Sequence, residues 1–335
     1  MTDSLSPLCI VLPPKDAEVP LLRKDWRQCV ERRKRLGDID SVKYSEDLHT
    51  PLGVDLVWDG GKAPYHLHVS CRCETYDIDG LYSTSCRIVN LFSGEKYTWS
   101  ITDSDDKKVE SSFATASDIR LISFPFHGGP VNFRDIGGKK SIFGGRVKQN
   151  IVFRGSQLKW PSFFEENRKF LLEKLKIKTD LDLRYDCQVV DEMALGGVSL
   201  LGKAVNYIHY TVNAYNSFTP EQCELFRKTM QTFAVRDYYP IYLHCHGGAD
   251  RTGLIAFLLN GLVGVEATEL FDDYELSSLS PFPRSRDLEY FQRWLKGIAS
   301  YSSEKLPLHE QIEKYLLSIG VTLAEISLIR RNILE

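Results

Sequence analysis

The hydrophobic period of this chain changes once, near residue 130, and that change limits what it can fold into. Before it, apolar residues recur at every second position in Val54-Asp55-Leu56-Val57-Trp58, Tyr65-His66-Leu67-His68-Val69-Ser70, Arg87-Ile88-Val89-Asn90-Leu91 and Lys96-Tyr97-Thr98-Trp99-Ser100-Ile101. Asp59-Gly60-Gly61 and Ser93-Gly94 stand at the breaks. Successive side chains of a strand point to opposite faces, so this alternation with turn residues between predicts a small antiparallel β-sandwich. After the change, short apolar strands at Ile151–Phe153, Thr179–Leu183, Val205–Tyr210 and Pro240–Leu243 alternate with stretches at helical spacing. Phe163–Leu175 is one such stretch. Thr219-Pro220-Glu221-Gln222 is a capping box with proline in the first turn, opening a helix to about Ala234. Glu266–Ser277, Arg286–Ala299, His309–Ser318 and Leu323–Leu334 read as further helices. Strands alternating with helices predict an α/β domain, a central sheet flanked by helices.

A length of 335 residues suits two domains at about 150 residues each. The boundary zone is Ser117 to Pro130, where Phe124-Pro125-Phe126-His127-Gly128-Gly129-Pro130 reads as a linker, giving domains 1–118 and 119–335. Leu21–Leu36, with Leu22, Trp26, Cys29 and Val30 among basic residues, predicts an amphipathic helix belonging to the first domain, packed on the sandwich or against the second. Hydrophobic residues at 43% and charged residues at 26% exclude a disordered chain. A balance of 42 Lys+Arg against 45 Asp+Glu argues against a nucleic-acid partner. No apolar run approaches the roughly 20 residues of a membrane span, so no transmembrane segment is expected. Met1-Thr2-Asp3-Ser4 has neither the basic start nor the apolar run of a signal peptide, which predicts a cytoplasmic protein if the chain is complete, and a secreted one if a signal was removed. The eight cysteines are too scattered for a disulfide scaffold, and Cys71-x-Cys73 lacks a second pair at ligand spacing. Neither a metal nor a cofactor is expected.

Chemistry concentrates in His244-Cys245-His246-Gly247-Gly248-Ala249-Asp250-Arg251-Thr252-Gly253. A strand ends at Leu243, and Thr252–Val263 reads as an apolar helix. Such a strand, loop and helix can turn backbone N–H groups around an anion and aim a helix N-terminus at it. Gly247 and Gly248 let the backbone curl, and His246 to Arg251 would line the phosphate. Cys245 at the mouth would be held as thiolate by the loop dipoles. The planar fork of Arg251 can grip two phosphate oxygens. Thr252 can donate its hydroxyl to the leaving sulfur, and His244 supports the loop rather than moving a proton.

These residues resemble the His-Cys-x5-Arg-Thr signature of the protein tyrosine phosphatase superfamily. Asn132-Phe133-Arg134-Asp135-Ile136-Gly137-Gly138, Phe153-Arg154-Gly155-Ser156-Gln157-Leu158, Asp182-Leu183-Arg184, Asp273-Tyr274 and Ile329-Arg330-Arg331 are similar, in order, to segments of atypical bacterial tyrosine/serine phosphatases. That resemblance covers residues 131 to 335 and implies a metal-independent phosphomonoesterase. Lipid-active members commonly read Cys-x-x-Gly-Lys-Asp-Arg, and here Ala249 stands at the lysine position. The implied substrate is therefore phosphotyrosine in a phosphoprotein or phosphopeptide, with phosphoserine or phosphothreonine beside it. Phosphoinositides or inositol polyphosphates are the alternative, with a protonated His246 as a source of charge. Rhodaneses and arsenate reductases also use cysteine–arginine loops, but Thr252 and the Asn132–Gly138 opening argue against both. In the first domain, Leu91 six residues before Tyr97 resembles the tyrosine corner of fibronectin type III domains, with Trp58 and Phe113-x-Thr115 suiting that pattern.

The general acid stays open between Asp182, at the carboxyl end of a strand, and Asp250, inside the loop, with Asp186 third. Arg134 and Asn132 either bind substrate or serve structure, Arg134 then pairing with Asp135 or another carboxylate. A rival of another class is a binding protein, whose sandwich docks a protein or glycan and whose loop only recognises phosphate.

Overall fold

The computed structural model describes residues 6–36, 50–159, 162–280, 286, 288–302 and 305–335. The chain forms two compact units, Met1–Lys24 with Pro51–Ser123, and Asp25–Thr50 with Phe124–Glu335.

The first unit contains two sheets. Strands β1 (Cys9–Leu12), β3 (Val54–Asp59) and β6 (Ser85–Ile88) form one, in the order β1-β3-β6. Strands β2 (Ala17–Val19), β4 (Tyr65–Ser70), β5 (Thr75–Leu81), β7 (Lys96–Thr102) and β8 (Lys108–Thr115) form the other, in the order β2-β8-β7-β4-β5. Leu56 and Trp58 from the first sheet and Leu67, Val69, Tyr97, Trp99 and Phe113 from the second bury into one core. This is the result of the period-2 pattern, which turns every second residue inward. The Tyr97 hydroxyl accepts from the Phe92 backbone N–H at 2.9 Å and donates to Glu74 Oε1 at 2.5 Å.

Two expectations shift here, and one strand was not expected. The strand expected at Arg87–Leu91 ends at Ile88, because Asn90 takes a left-handed φ of 65° and turns the chain. Strand β5 reads Thr-Tyr-Asp-Ile-Asp-Gly-Leu, and its acidic and glycine positions hid it; it lies on a sheet edge, where polar residues are tolerated. The helix expected from Leu21 begins at Trp26, since the N–H groups of Leu21 and Leu22 donate to the Asp118 carboxylate at 2.9 and 3.1 Å.

That helix, α1 (Trp26–Leu36), groups with the second unit rather than with the sheets. Its basic residues meet acidic ones: Arg27 pairs with Asp272, and Lys34 Nζ lies 2.6 Å from Glu275. Of the two placements expected for this helix, these ion pairs fit packing on the second unit.

The second unit is built on five strands: β9 (Arg134–Asp135), β10 (Val152–Gly155), β11 (Thr179–Asp182), β12 (Asn206–His209) and β13 (Ile241–His244). Their order is β12-β11-β13-β10-β9, parallel except for β9. Connecting them are α2 (Glu165–Lys169), which widens into a π-helical turn at Phe170–Lys174, α3 (Val190–Ala194) and α4 (Pro220–Thr232). Thr219 Oγ1 caps α4 by accepting from Gln222 N, but Gln222 Oε1 takes the Asn213 N–H, so only half of the expected capping box forms.

Helices α5 (Asp250–Leu262), α6 (Ala267–Leu276), α7 (Leu288–Ala299), α8 (Leu308–Ser318) and α9 (Leu323–Ile333) complete the unit. Residues Arg251 to Leu262 of α5 are all buried. A helix apolar on every side must be enclosed, and Leu254, Ile255, Leu258, Leu259 and Leu262 sit in one core with Ile241 and Leu243 of β13. The buried helix and the central strand thus fix both ends of the loop between them.

Candidate active site

Strand β13 lies between β10 and β11, parallel to both, and delivers Cys245 at its carboxyl end. Open parallel sheets gather their sites at that edge. The loop then enters α5 at Asp250, whose first N–H groups have no intrahelical acceptor and face the loop with the positive end of the helix dipole.

The loop is held from behind by its carbonyls. Asn132 Nδ2 donates to Gly247 O at 3.3 Å and Gly248 O at 3.1 Å, and Arg154 Nη2 donates to Gly248 O at 2.9 Å and Ala249 O at 3.2 Å. In a trans peptide the N–H points opposite to the C=O, so carbonyls drawn backward turn the next amides forward. Gly248 has φ 66°, and a Cβ there would overlap the Gly155 backbone carbonyl. Only glycine fits both the conformation and the approach.

A buried ion cluster fixes these donors. Asp273 accepts from Arg134 Nε at 2.7 Å and Arg154 Nη1 at 2.6 Å, and Arg134 Nη1 donates to Asn132 Oδ1 at 2.6 Å. Burial alone would raise the Asp273 carboxyl, but Arg134, Arg154 and Lys139 outweigh it and hold it well below the usual carboxylate range. Burial and the neighbouring Arg154 push Arg134 down to about 10.

In front of the loop lies a cavity of about 180 Å³, lined among others by Cys245, Asp250, Arg251, Tyr185, Tyr215 and Arg286. Burial works to raise the Cys245 thiol, yet the Arg251 charge and the Thr252 hydroxyl and N–H reverse this, so its pKa is lowered. The buried Thr252 Oγ1 has no other hydrogen-bond partner among the described residues, so its hydroxyl is directed to the Cys245 sulfur. Arg251 Nη1 donates to Leu183 O and Gln188 Oε1, both at 3.1 Å, and its guanidinium lies 4.4 Å from the Tyr185 ring centre. His244 Nε2 sits 2.7 Å from Asp180 Oδ1. Burial disfavours its charge, but Asp182 and Asp180 raise its pKa to about 8. His246 is pushed down by burial, Arg251 and Arg184, which disfavours the positive charge considered for it from sequence.

A buried cysteine of lowered pKa, an arginine and a loop whose carbonyls are tied backward thus border one small space. The family model for the tyrosine phosphatase family matches residues 126–335. The chain belongs to the tyrosine phosphatase family. It is similar to a tyrosine-protein phosphatase of Nostoc commune, 29% identical over 97 residues, 29% of this chain and 33% of the relative. The match therefore spans about a third of that relative's length. Among solved structures, it resembles the core catalytic domain of the PP-IP phosphatase SIW14 from S. cerevisiae in complex with citrate (TM-score 0.31, 24% identity, covering 46% of this chain and 93% of the other). It also resembles PTPMT1 in complex with PI(5)P (TM-score 0.25, 10% identity, covering 51% and 92%).

The acidic residues of this tyrosine phosphatase family member fall in different places. Asp182 is fully buried and accepts from Arg184 Nε at 2.9 and 3.0 Å, Arg184 Nη2 at 2.7 Å and Tyr207 Oη at 2.9 Å. Burial would raise its pKa, but His244 and Arg184 overcome that and lower it, the reverse of what a proton donor needs. Asp186 is 84% exposed on its side chain and accepts from Thr211. Asp250 lies on the cavity wall with Cys245. Arg134 is fully buried in the ion cluster, paired with Asp273 rather than Asp135. Arg154, Asp273, Gln188, Tyr185, Tyr215 and Arg286 received no role from the sequence. For Arg154 a signal existed: it stands in Phe153-Arg154-Gly155-Ser156-Gln157-Leu158, one of the segments similar to the atypical phosphatases.

Proposed function

We propose that this protein is a cysteine-dependent phosphomonoesterase that acts on phosphotyrosine, with phosphoserine and phosphothreonine as further substrates. The observation that carries the reading is the lowered pKa of Cys245 inside a loop whose carbonyls are tied backward, beside Arg251. The Cys245 thiolate attacks phosphorus in line, the sulfur–phosphorus bond forms and the ester phosphorus–oxygen bond breaks. Asp250 gives its proton to the leaving oxygen. Water then attacks phosphorus, Asp250 takes the water proton, and the sulfur leaves as thiolate with the Thr252 hydroxyl donating to it. Arg251 and the loop amides hold the equatorial oxygens in both steps. Asp250 is preferred to Asp182 because it reaches the cavity, while Asp182 is occupied by Arg184.

Tyr185 and Tyr215 on the cavity wall favour a flat aromatic ester. Ala249 offers no cation, the His246 charge is disfavoured and the Arg286 guanidinium is engaged by Asp250, which together speak against phosphoinositides and inositol polyphosphates. The first unit is proposed to be a fibronectin type III-like sandwich that docks a protein or glycan, a reading supported by the Tyr97–Phe92 hydrogen bond. Phosphate release from phosphotyrosine, phosphoserine and phosphatidylinositol phosphate substrates tests this account. Release from phosphotyrosine peptide that is lost in Cys245→Ser supports it. Exclusive turnover of the lipid contradicts the substrate assignment.

A further inference from the structure

The carboxylate proposed as general acid is gripped in a way that suits the ionised form. Asp250 Oδ1 accepts from Arg286 Nε and Tyr274 Oη, both at 3.2 Å, and Oδ2 accepts from Tyr215 Oη at 2.6 Å and Arg286 Nη2 at 3.3 Å. Two parallel guanidinium N–H groups form the bidentate arrangement that favours carboxylate over carboxylic acid. An acid must instead carry a proton when the ester bond breaks.

Arg286 is itself held in place. Its backbone N–H donates to Ser278 Oγ at 2.7 Å, and Ser278 Oγ donates to the Arg286 carbonyl at 3.1 Å. Ser278 is fully buried and the Arg286 side chain is 5% exposed. Arg286 also lines the cavity that holds Cys245, so the same guanidinium faces both Asp250 and the space where a phosphate would sit.

We propose that Arg286 is a positioning residue that ties the protonation of Asp250 to occupancy of the site. In the empty site its fork holds Asp250 as carboxylate. A phosphate dianion in the loop draws the fork toward itself, and its negative charge favours a proton on Asp250, so the acid is armed only when there is an ester to cleave. In the second step the freed leaving group has departed and Asp250 is the base. This inference rests on Asp250 being the general acid.

Among the described residues, the groups around Asp250 include Arg251, Cys245 and His246 of the loop, Tyr185 after β11, Tyr215 after β12, Tyr274 on α6, and Arg286 itself. Among these, Arg251 and Cys245 serve the chemistry directly and their charges stay in every variant below. The alkaline limb of a pH–rate profile reports loss of the acid's proton, in the free enzyme for kcat/KM and in the complex for kcat. In wild type the kcat limb should lie above the kcat/KM limb. Removing a neighbouring cation favours the protonated acid, so Arg286→Gln should move the kcat/KM limb upward by about one pH unit and close the gap between the two.

The experiment compares full-length wild type, Arg286→Gln, Arg286→Lys, Ser278→Ala and Asp250→Asn on p-nitrophenyl phosphate and phenyl phosphate across pH. Arg286→Lys should move the limb less than Arg286→Gln, because charge is kept and the fork is lost. Ser278→Ala should move it in the same direction by less, and stands in if Arg286→Gln does not fold. Asp250→Asn should abolish the limb and lose more rate on phenyl phosphate, whose leaving group is the stronger base. If Asp250→Asn loses the limb while the Arg286 and Ser278 variants only lower the rate at all pH values, Arg286 is merely structural and this inference falls. If Asp250→Asn keeps the limb, the assignment of the acid itself falls.

Discussion

Substituting Asp273 by asparagine should damage both stability and turnover, for reasons that can be separated. Asp273 is buried between Arg134 and Arg154, which are themselves buried, at 2.7 and 2.6 Å. Breaking such a pair leaves uncompensated charge in the interior and costs about 3–5 kcal/mol. That is a large share of the about 5–15 kcal/mol by which domains are stable. The carboxyl titrates well below its unfolded range, so its contribution is present above about pH 4 and is lost only as pH falls toward its folded value. Asp273→Asn should therefore lower the urea midpoint at pH 7 without a change in slope. It should also free Arg154, which holds Gly248 O and Ala249 O, and so misdirect loop amides. Loss of one such oxyanion donor costs about 10² to 10³ in kcat. The assay is urea unfolding beside kcat on p-nitrophenyl phosphate, at a temperature where the variant stays folded. A folded variant with wild-type stability and wild-type kcat would refute the claim that this cluster builds the loop.

Other outcomes follow from the same geometry. Gly248→Ala should cut kcat/KM by two or more orders of magnitude, on the order of one lost amide alignment, since its Cβ meets the Gly155 carbonyl; an active variant, measured as initial rates, would contradict the argument for glycine. The charge of His244 should stabilise the fold below pH 6.5, its unfolded value, and be lost as pH rises through about 8. The full effect is about 2 kcal/mol, and urea midpoints at pH 6 and 9 for wild type and His244→Asn should converge at the higher pH; parallel curves would refute it. Asp182→Asn should lower the unfolding temperature by removing one of the two buried carboxylates that pair with Arg184, Glu192 being the other, but its rate loss should be equal on phenyl and p-nitrophenyl phosphate; a loss that grows with leaving-group basicity would restore it as the acid.

Cys245 and Arg251 were legible as partners because they share one short loop, and a strand–loop–helix order fixes their relation without long-range information. The α/β order was legible because α5 is apolar on all sides and β13 is a short apolar run. The choice among acids was not legible. Asp182 and Asp250 both stand at predicted strand-end or loop positions near the site, and only the fold shows Asp182 buried under Arg184 and Tyr207 and Asp250 on the cavity wall. Arg286 was read only as a helix start, because its contact with Asp250 spans 36 positions. Arg134 illustrates the same limit. Its nearest carboxylate in sequence is Asp135, but adjacent residues of a strand face opposite ways, and its partner comes from α6.

The central claim is a covalent phosphocysteine on Cys245. The direct measurement is rapid acid quench of the enzyme with phosphate-labelled phosphotyrosine peptide, followed by peptide mapping. The account predicts acid-trapped label on the peptide bearing Cys245 and none in Cys245→Ser. Turnover of the wild type with no trapped label under single-turnover conditions, or label retained in Cys245→Ser, would contradict it.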